Sequence, residues 1–129
     1  MFSGGYLGRL LRVNLSERSS RVEPIDPGRF KELLGGRRLA AKHYYDEIGP
    51  EVDPLAGANK LFFFTGPLTG LPLPSTTKFQ LSTRSPETRR YLCSNCGGDF
   101  GPRLKMAGFD GLIVEGQAAD WAYLTIEDG

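Results

Sequence analysis

The sequence predicts an α+β fold of mostly antiparallel β-sheets packed together with a few short helices, over a unit spanning residues 1–129. Three observations carry this. Apolar residues alternate at Leu11, Val13 and Leu15 and recur in short β-rich runs such as "LFFF" at Leu61–Phe64. Gly- and Pro-rich breaks, "GPLTGLPLP" and "RSPET", separate those runs. Helical signals are confined to three short stretches with caps or stops of their own, and no βαβ alternation orders them.

Taken in order, Leu11, Val13 and Leu15 predict a strand with one buried face. The polar loop at residues 16–20 and then Val22 and Ile25 complete a hairpin. In "DPGRFKELLGG", Asp26 can accept from the free N–H groups of a helix start, and Pro27 suits the first helical position. Phe30, Leu33 and Leu34 form its apolar stripe, and Gly35–Gly36 end it. A second helix is predicted from Arg38 to about Ile48, stopping at Gly49–Pro50. Strands follow at Lys60–Thr65, Thr77–Thr83 and roughly Arg89–Cys93. "FGPRLKMAGFDG" predicts a short helix with Pro102 in the first position and Gly108 just past its end. "GLIVEG" and "AYLTIEDG" predict two closing strands.

Composition excludes several function classes. Net charge is +1, from 16 basic and 15 acidic residues spread along the chain, so no basic face announces nucleic acid. The longest apolar run is far too short to span a bilayer. The N-terminal stretch lacks the apolar core of a secretion signal, so a cytoplasmic location is expected. Two cysteines do not make a disulfide framework.

Both thiols lie in "CSNCGG", Cys93–Gly98. A structural zinc site wants four Cys or His ligands, and the chain has two cysteines and one histidine, His43, about fifty residues upstream. An iron–sulfur cluster meets the same shortage. A thioredoxin-type pair needs a helix start, whereas Gly97–Gly98 break helix. The favoured reading makes the thiols small bystanders in a turn. The glycines of "NCGGDFG" offer more: successive backbone N–H groups can form a nest for a phosphate oxygen.

Other residues carry ordinary readings. His43 is expected as a partly exposed helical residue, and Lys42 and Asp46 as a surface pair at i, i+4. Phe62–Phe64 read as a strand buried in a two-sided core. Arg37 and Arg38 follow a helix end, where cations suit the dipole, and they could also reach a phosphate.

Several segments together resemble the N-terminal domain of the aldehyde:ferredoxin oxidoreductase family of tungsten enzymes with a bis-pterin cofactor. They are "GRLLRVNLS", "LLGGRRLAAKHYYDEIGPEVDPL", "NKLFFFTGPLTG", "SNCGGDFGPRLKMAGFDGLIVEG" and "AYLTIEDG", in family order. The resemblance implies a β-sheet base supporting a tungsto- or molybdo-bis-pterin. It implies contacts to that cofactor from Lys78, Asn95 and Gly97, with the Asn95 backbone helping to hold a Mg²⁺ that bridges the pterin phosphates. Lys78 stands where the family usually has Arg, which keeps the charge but not the planar fork. Thr76 and Thr77 add Cβ atoms where the family has glycine, and Cys96 replaces another small residue.

The family's 4Fe–4S cysteines and second pterin-binding segment match nothing in these 129 residues. The expected role is therefore the cofactor-supporting portion of a larger oxidoreductase, incomplete at its C-terminus and not catalytic alone. Its expected partners are the remainder of the enzyme, a dimer mate and ferredoxin. Two alternatives stand beside it: a free-standing pterin-binding or assembly module, and a metal or redox module built on the CxxC.

Overall fold

The structure, a computed structural model, describes residues 4–127. Its elements are β1 (Arg9–Asn14), β2 (Ser19–Pro24), α1 (Pro27–Leu33), α2 (Gly36–Glu47), β3 (Leu61–Thr65), β4 (Phe79–Arg84), β5 (Tyr91–Cys96), α3 (Phe100–Met106) and β6 (Gly111–Glu115). The fold is α+β, and the strands form one six-stranded sheet in the order β2-β1-β6-β3-β4-β5. Neighbouring strands are antiparallel except β1 and β6, which run parallel with Leu10 opposite Gly111 and Val13 opposite Val114.

Each face of the sheet has its own core. On one, Phe62, Phe64, Leu10 and Ile113 pack against Phe30 of α1 and Leu39 and Ala40 of α2, all 4% exposed or less. On the other, Leu11, Val13 and Leu112 meet Leu104 of α3 and Phe109. The alternation of strand side chains assigns Phe62 and Phe64 to the first face and Phe63 to the second. Fully burying one such side chain contributes roughly 1.5–3 kcal/mol.

Local signals acted where expected at several points. The Asp26 carboxylate accepts from Gly28 N at 3.0 Å, Pro27 opens α1, and Gly108 past α3 takes φ 92°. Lys42 and Asp46 pair on α2.

The differences are physical. β1 is buried on both faces rather than one, because α2 covers Leu10 and Arg12 on one face while Leu104 and Phe109 cover Leu11 and Val13 on the other. α1 ends one residue before Leu34, which adopts φ 61° and stays 58% exposed instead of completing the stripe. α2 begins at Gly36, so Arg37 and Arg38 sit in its first turn rather than after a helix end. Pro102 is the third residue of α3, where its missing N–H still costs no helical bond. β5 continues through Asn95 to Cys96, so the two thiols lie on a strand and not in a turn. Residues 122–127 of "AYLTIEDG" form no strand among the described residues, and Asp128 and Gly129 lie outside those residues.

Beneath α2 lies an ionic cluster. Arg12, 6% exposed, reaches Glu47, Glu115 and Glu23 at 2.8, 3.0 and 2.9 Å, and Lys60 Nζ lies 2.8 Å from Glu47 and 3.0 Å from Glu115. His43 is half-buried on α2, as a partly exposed helical residue should be: its ring stacks on Phe64 at 5.1 Å, and Nδ1 lies 3.1 Å from Glu47 Oε1. Burial raises the Glu47 carboxyl, but hydrogen bonds from His43, Arg12 and Lys60 outweigh it and hold the group far below the usual carboxylate range. A second buried charge, Asp110, pairs with Lys105 and accepts from Leu7 N at 2.8 Å and Gly8 N at 2.6 Å. It fastens the N-terminal segment beside the turn after β3.

Candidate functional site

A cavity of about 550 Å³ opens where the start of α2, the loop between β3 and β4, and the β4–β5 pair converge. Each wall has a local cause. Gly35, at φ 106°, lets α2 begin against the end of β3; a methyl there would lie 3.1 Å from Thr65 O. The loop from Gly66 is closed by its own bonds. Gly66 N donates to Thr69 Oγ1 at 3.0 Å, and Gly70 N donates to Thr76 O at 3.0 Å. The Thr76 hydroxyl lies 2.7 Å from Leu71 O and 2.8 Å from Leu73 O.

Lys78 precedes β4 by one residue. Two positions on, Gln80 stands opposite Asn95 in the ladder, so Lys78, Gln80 and Asn95 share the α2 face and all line the cavity. Gln80 is buried and held by donation from Nε2 to Ser94 O and Cys93 Sγ. Lys78 and Asn95, predicted from residues 17 positions apart in the sequence, are thus brought together.

Gly97 is adjacent but does not line the cavity; a methyl there would be 3.9 Å from Thr77 Oγ1. The expected nest at "NCGGDFG" is shortened, because β5 takes Asn95 and Cys96 and α3 takes Phe100 and Gly101. Gly101 serves packing: a methyl would meet Thr77 O at 2.8 Å. Thr77 and Thr76 therefore crowd α3 and their own loop, and the exposed Thr77 side chain is the nearer of the two to Gly97.

The residue that sequence reasoning placed wrongly is Arg37. It lines the cavity from the first turn of α2, where no side chain caps the helix. A cation at the positive end of a helix is like charge on like. Lys78 adds a second cation, no carboxylate lines the cavity, and among the described residues neither cation has a carboxylate partner. Such an arrangement favours an anion. "GGRR" was the available signal, read as a helix end instead of a helix start.

The thiols are arranged for separate fates. Residues three apart on a strand point to opposite faces, so Cys93 turns toward Gln80 and Cys96 toward the other side. Cys93 is half-buried and Cys96 exposed, and among the described residues no group of three or more His, Cys, Asp or Glu side chains could hold a metal. No helix of the described residues is long and apolar enough to cross a membrane.

The fold is thus a six-stranded α+β sheet carrying an acid-free, cation-lined cavity on its helical face. The comparisons then place it. Residues 10–129 match the model for the aldehyde ferredoxin oxidoreductase N-terminal domain, and the chain belongs to that family. It is 43% identical over 124 residues to the tungsten-containing aldehyde ferredoxin oxidoreductase of Pyrococcus furiosus, and 41% identical to that of Pyrococcus horikoshii. Each match covers 96% of this chain and 20% of the relative. An aliphatic sulfonate oxidoreductase, WOR-like subunit, of Pyrococcus furiosus is 35% identical over 126 residues. Among solved structures, the active-site complex BamBC of benzoyl coenzyme A reductase, in complex with 1,5-dienoyl-CoA, superposes with a TM-score of 0.93 at 35% identity. That match covers 96% of this chain and 19% of that one. The chain therefore spans about a fifth of the length of the relatives it matches.

Proposed function

We propose that the chain is the cofactor-supporting portion of an aldehyde-oxidising tungsten enzyme, converting an aldehyde to a carboxylic acid with electrons passing to ferredoxin. One observation carries the reading: an acid-free cavity presents Arg37, Lys78 and Asn95 at the uncapped start of α2. A bis-pterin bearing phosphates is an anion of the kind that lining suits. When bound, it supplies a metal able to exchange two electrons and an oxygen atom with substrate. This chain's own residues bind and orient it. Lys78 and Arg37 would offset phosphate charge, the Asn95 carbonyl would offer an oxygen to a Mg²⁺ accompanying the phosphates, and Gly97 would keep the turn beyond β5 free of a side chain. The 4Fe–4S cluster, the remaining cofactor contacts, a dimer mate and the ferredoxin surface belong to the rest of the enzyme, which acts in the cytoplasm. The higher identity to the aldehyde enzymes than to the sulfonate and benzoyl-CoA proteins favours an aldehyde as substrate.

The test is titration of the chain with inorganic phosphate and with a 6-substituted pterin phosphate, followed residue by residue by NMR. Shifts should cluster at Arg37, Lys78 and Asn95. Arg37→Ala and Lys78→Ala should each weaken pterin-phosphate binding about ten- to hundredfold, since a hydrogen bond to a charged group contributes roughly 1.5–3 kcal/mol. Shifts scattered over exposed lysines and arginines, indifferent to both variants, would refute the site.

A further inference from the structure

Gln80 is 3% exposed and lines the α2 cavity, yet the two ends of its amide are treated differently. Nε2 donates to Leu81 O at 3.1 Å, Ser94 O at 2.5 Å and Cys93 Sγ at 2.9 Å. The two carbonyls can only accept, so the amide cannot be turned over. Oε1 accepts from no described residue. Among the described residues, the side-chain polar atoms both sealed from solvent and without a partner are His43 Nε2 and Arg84 Nε. Gln80 Oε1 is therefore not sealed, and the opening beside it is the cavity. A fixed carbonyl oxygen is the negative end of a dipole, which repels a phosphate oxygen and attracts an N–H. It serves a different part of a ligand from the part that Arg37 and Lys78 suit. Another stretch of the wall is apolar. Leu34, at φ 61° and 58% exposed, meets the cavity together with Leu68 and Phe64. The left-handed region favours glycine, and the Tyr6 hydroxyl donates to Leu34 O at 3.0 Å and holds the residue there. An exposed leucine kept in that conformation gives the cavity an apolar surface on which a flat ring can lie.

We infer that Gln80 is a specificity-determining residue of this cavity, its Oε1 accepting from ring N–H groups of a phosphorylated heterocycle while Leu34 bounds the ring's face. This rests on the reading that the cavity takes a pterin phosphate, and it names the part of that ligand the site tells apart. Phosphate goes to the cations, and the donor-bearing edge of the ring goes to the acceptor. A pterin carries an amino group beside a ring N–H on one edge, two donors for the two lone pairs of one carbonyl oxygen. Replacing that amino group by a carbonyl, as in a lumazine, sets oxygen against oxygen without altering the ring's outline or the phosphate. A buried acceptor left unpaired is what makes such a site reject the near-isostere.

Inorganic phosphate, a 6-substituted pterin phosphate and the corresponding lumazine phosphate are each titrated into the chain and followed residue by residue by NMR. The parent should bind the pterin at least about tenfold more tightly than the lumazine, the effect of one unpaired buried acceptor. Gln80→Leu should bring the two ring ligands within about twofold of each other and leave inorganic phosphate unaffected. That variant also gives up the bonds to Leu81 and Ser94, so the parent's own preference decides the matter if it does not fold. Leu34→Gly relieves the left-handed backbone, so it should keep the parent's melting temperature within about 3 °C while weakening both ring ligands several-fold and sparing inorganic phosphate. Equal affinity of the parent for pterin and lumazine, with shifts still at Arg37 and Lys78, would overturn the inference and leave the cofactor reading standing. So would an equal loss of inorganic phosphate in Gln80→Leu, which would assign the acceptor to the hydration of the phosphate. Absence of shifts at the cavity with any of the three ligands would sink the cofactor reading and this inference together.

Discussion

Replacing Arg12 by Met tests the energetics of the cluster under α2. The substitution keeps length and apolar volume but removes five hydrogen bonds, at 2.8 to 3.2 Å, to three carboxylates. Lys60 still serves Glu47 and Glu115, and Arg21 still reaches Glu23 at 2.7 Å. Breaking one side of a buried ion pair costs about 3–5 kcal/mol, and the cations left behind place this change near the low end, about 3 kcal/mol at neutral pH. Against a typical total of about 5–15 kcal/mol that loss is large. The pH dependence follows from the carboxylates. Burial pushes each upward, and the hydrogen-bonding cations prevail, so Glu23, Glu47 and Glu115 all lie below the ordinary 4.5. Unfolded glutamates therefore take up protons first on acidification, and parent stability is full above about pH 4.5 and falls below it. Arg12→Met removes part of that depression, so the variant loses less to acid and the gap between the two proteins narrows. Urea unfolding followed by far-UV circular dichroism at about pH 7 and about pH 4 measures both quantities; Trp121 is already exposed in the folded chain and reports little. A loss under about 1 kcal/mol at neutral pH, or one that does not shrink in acid, would refute the reasoning.

Asp110→Asn keeps an acceptor for Leu7 N and Gly8 N but removes the charge facing Lys105, and a loss of about 2–3 kcal/mol is expected from bonds to charged groups. Faster amide exchange at Leu7 and Gly8 should accompany it; stability within about 0.5 kcal/mol of the parent would show that the clamp is dispensable. The double change Cys93→Ser, Cys96→Ser should leave zinc content at background and alter stability by less than about 1 kcal/mol, a surface-like effect. Stoichiometric zinc in the parent, lost in the variant, would restore the metal reading of the thiols.

Features legible in the sequence are those set by neighbours along the chain. Asp26 and Pro27 start α1 because a carboxylate two residues from an unsatisfied N–H needs no distant partner. Phe62–Phe64 read as a doubly buried strand because alternation delivers side chains to two faces whatever packs there. Lys78, Asn95 and Gly97 came from the family resemblance, and no local rule joins the first two. Their meeting depends on the register that sets Gln80 against Asn95. Tertiary contacts decided the rest. The parallel pairing of β1 with β6 joins strands about a hundred residues apart, and it is that pairing which buries Arg12 and gathers Glu115 to it. β5 ran on through Cys96 because β4 offered it a ladder, and this separated the thiols onto opposite faces. Arg37 became a cavity cation rather than a helix-end charge when Gly35 allowed α2 to start against Thr65. "AYLTIEDG" carries a β-pattern, yet residues 122–127 pair with no strand among the described residues, since a strand exists only where another backbone supplies the second half of its hydrogen bonds.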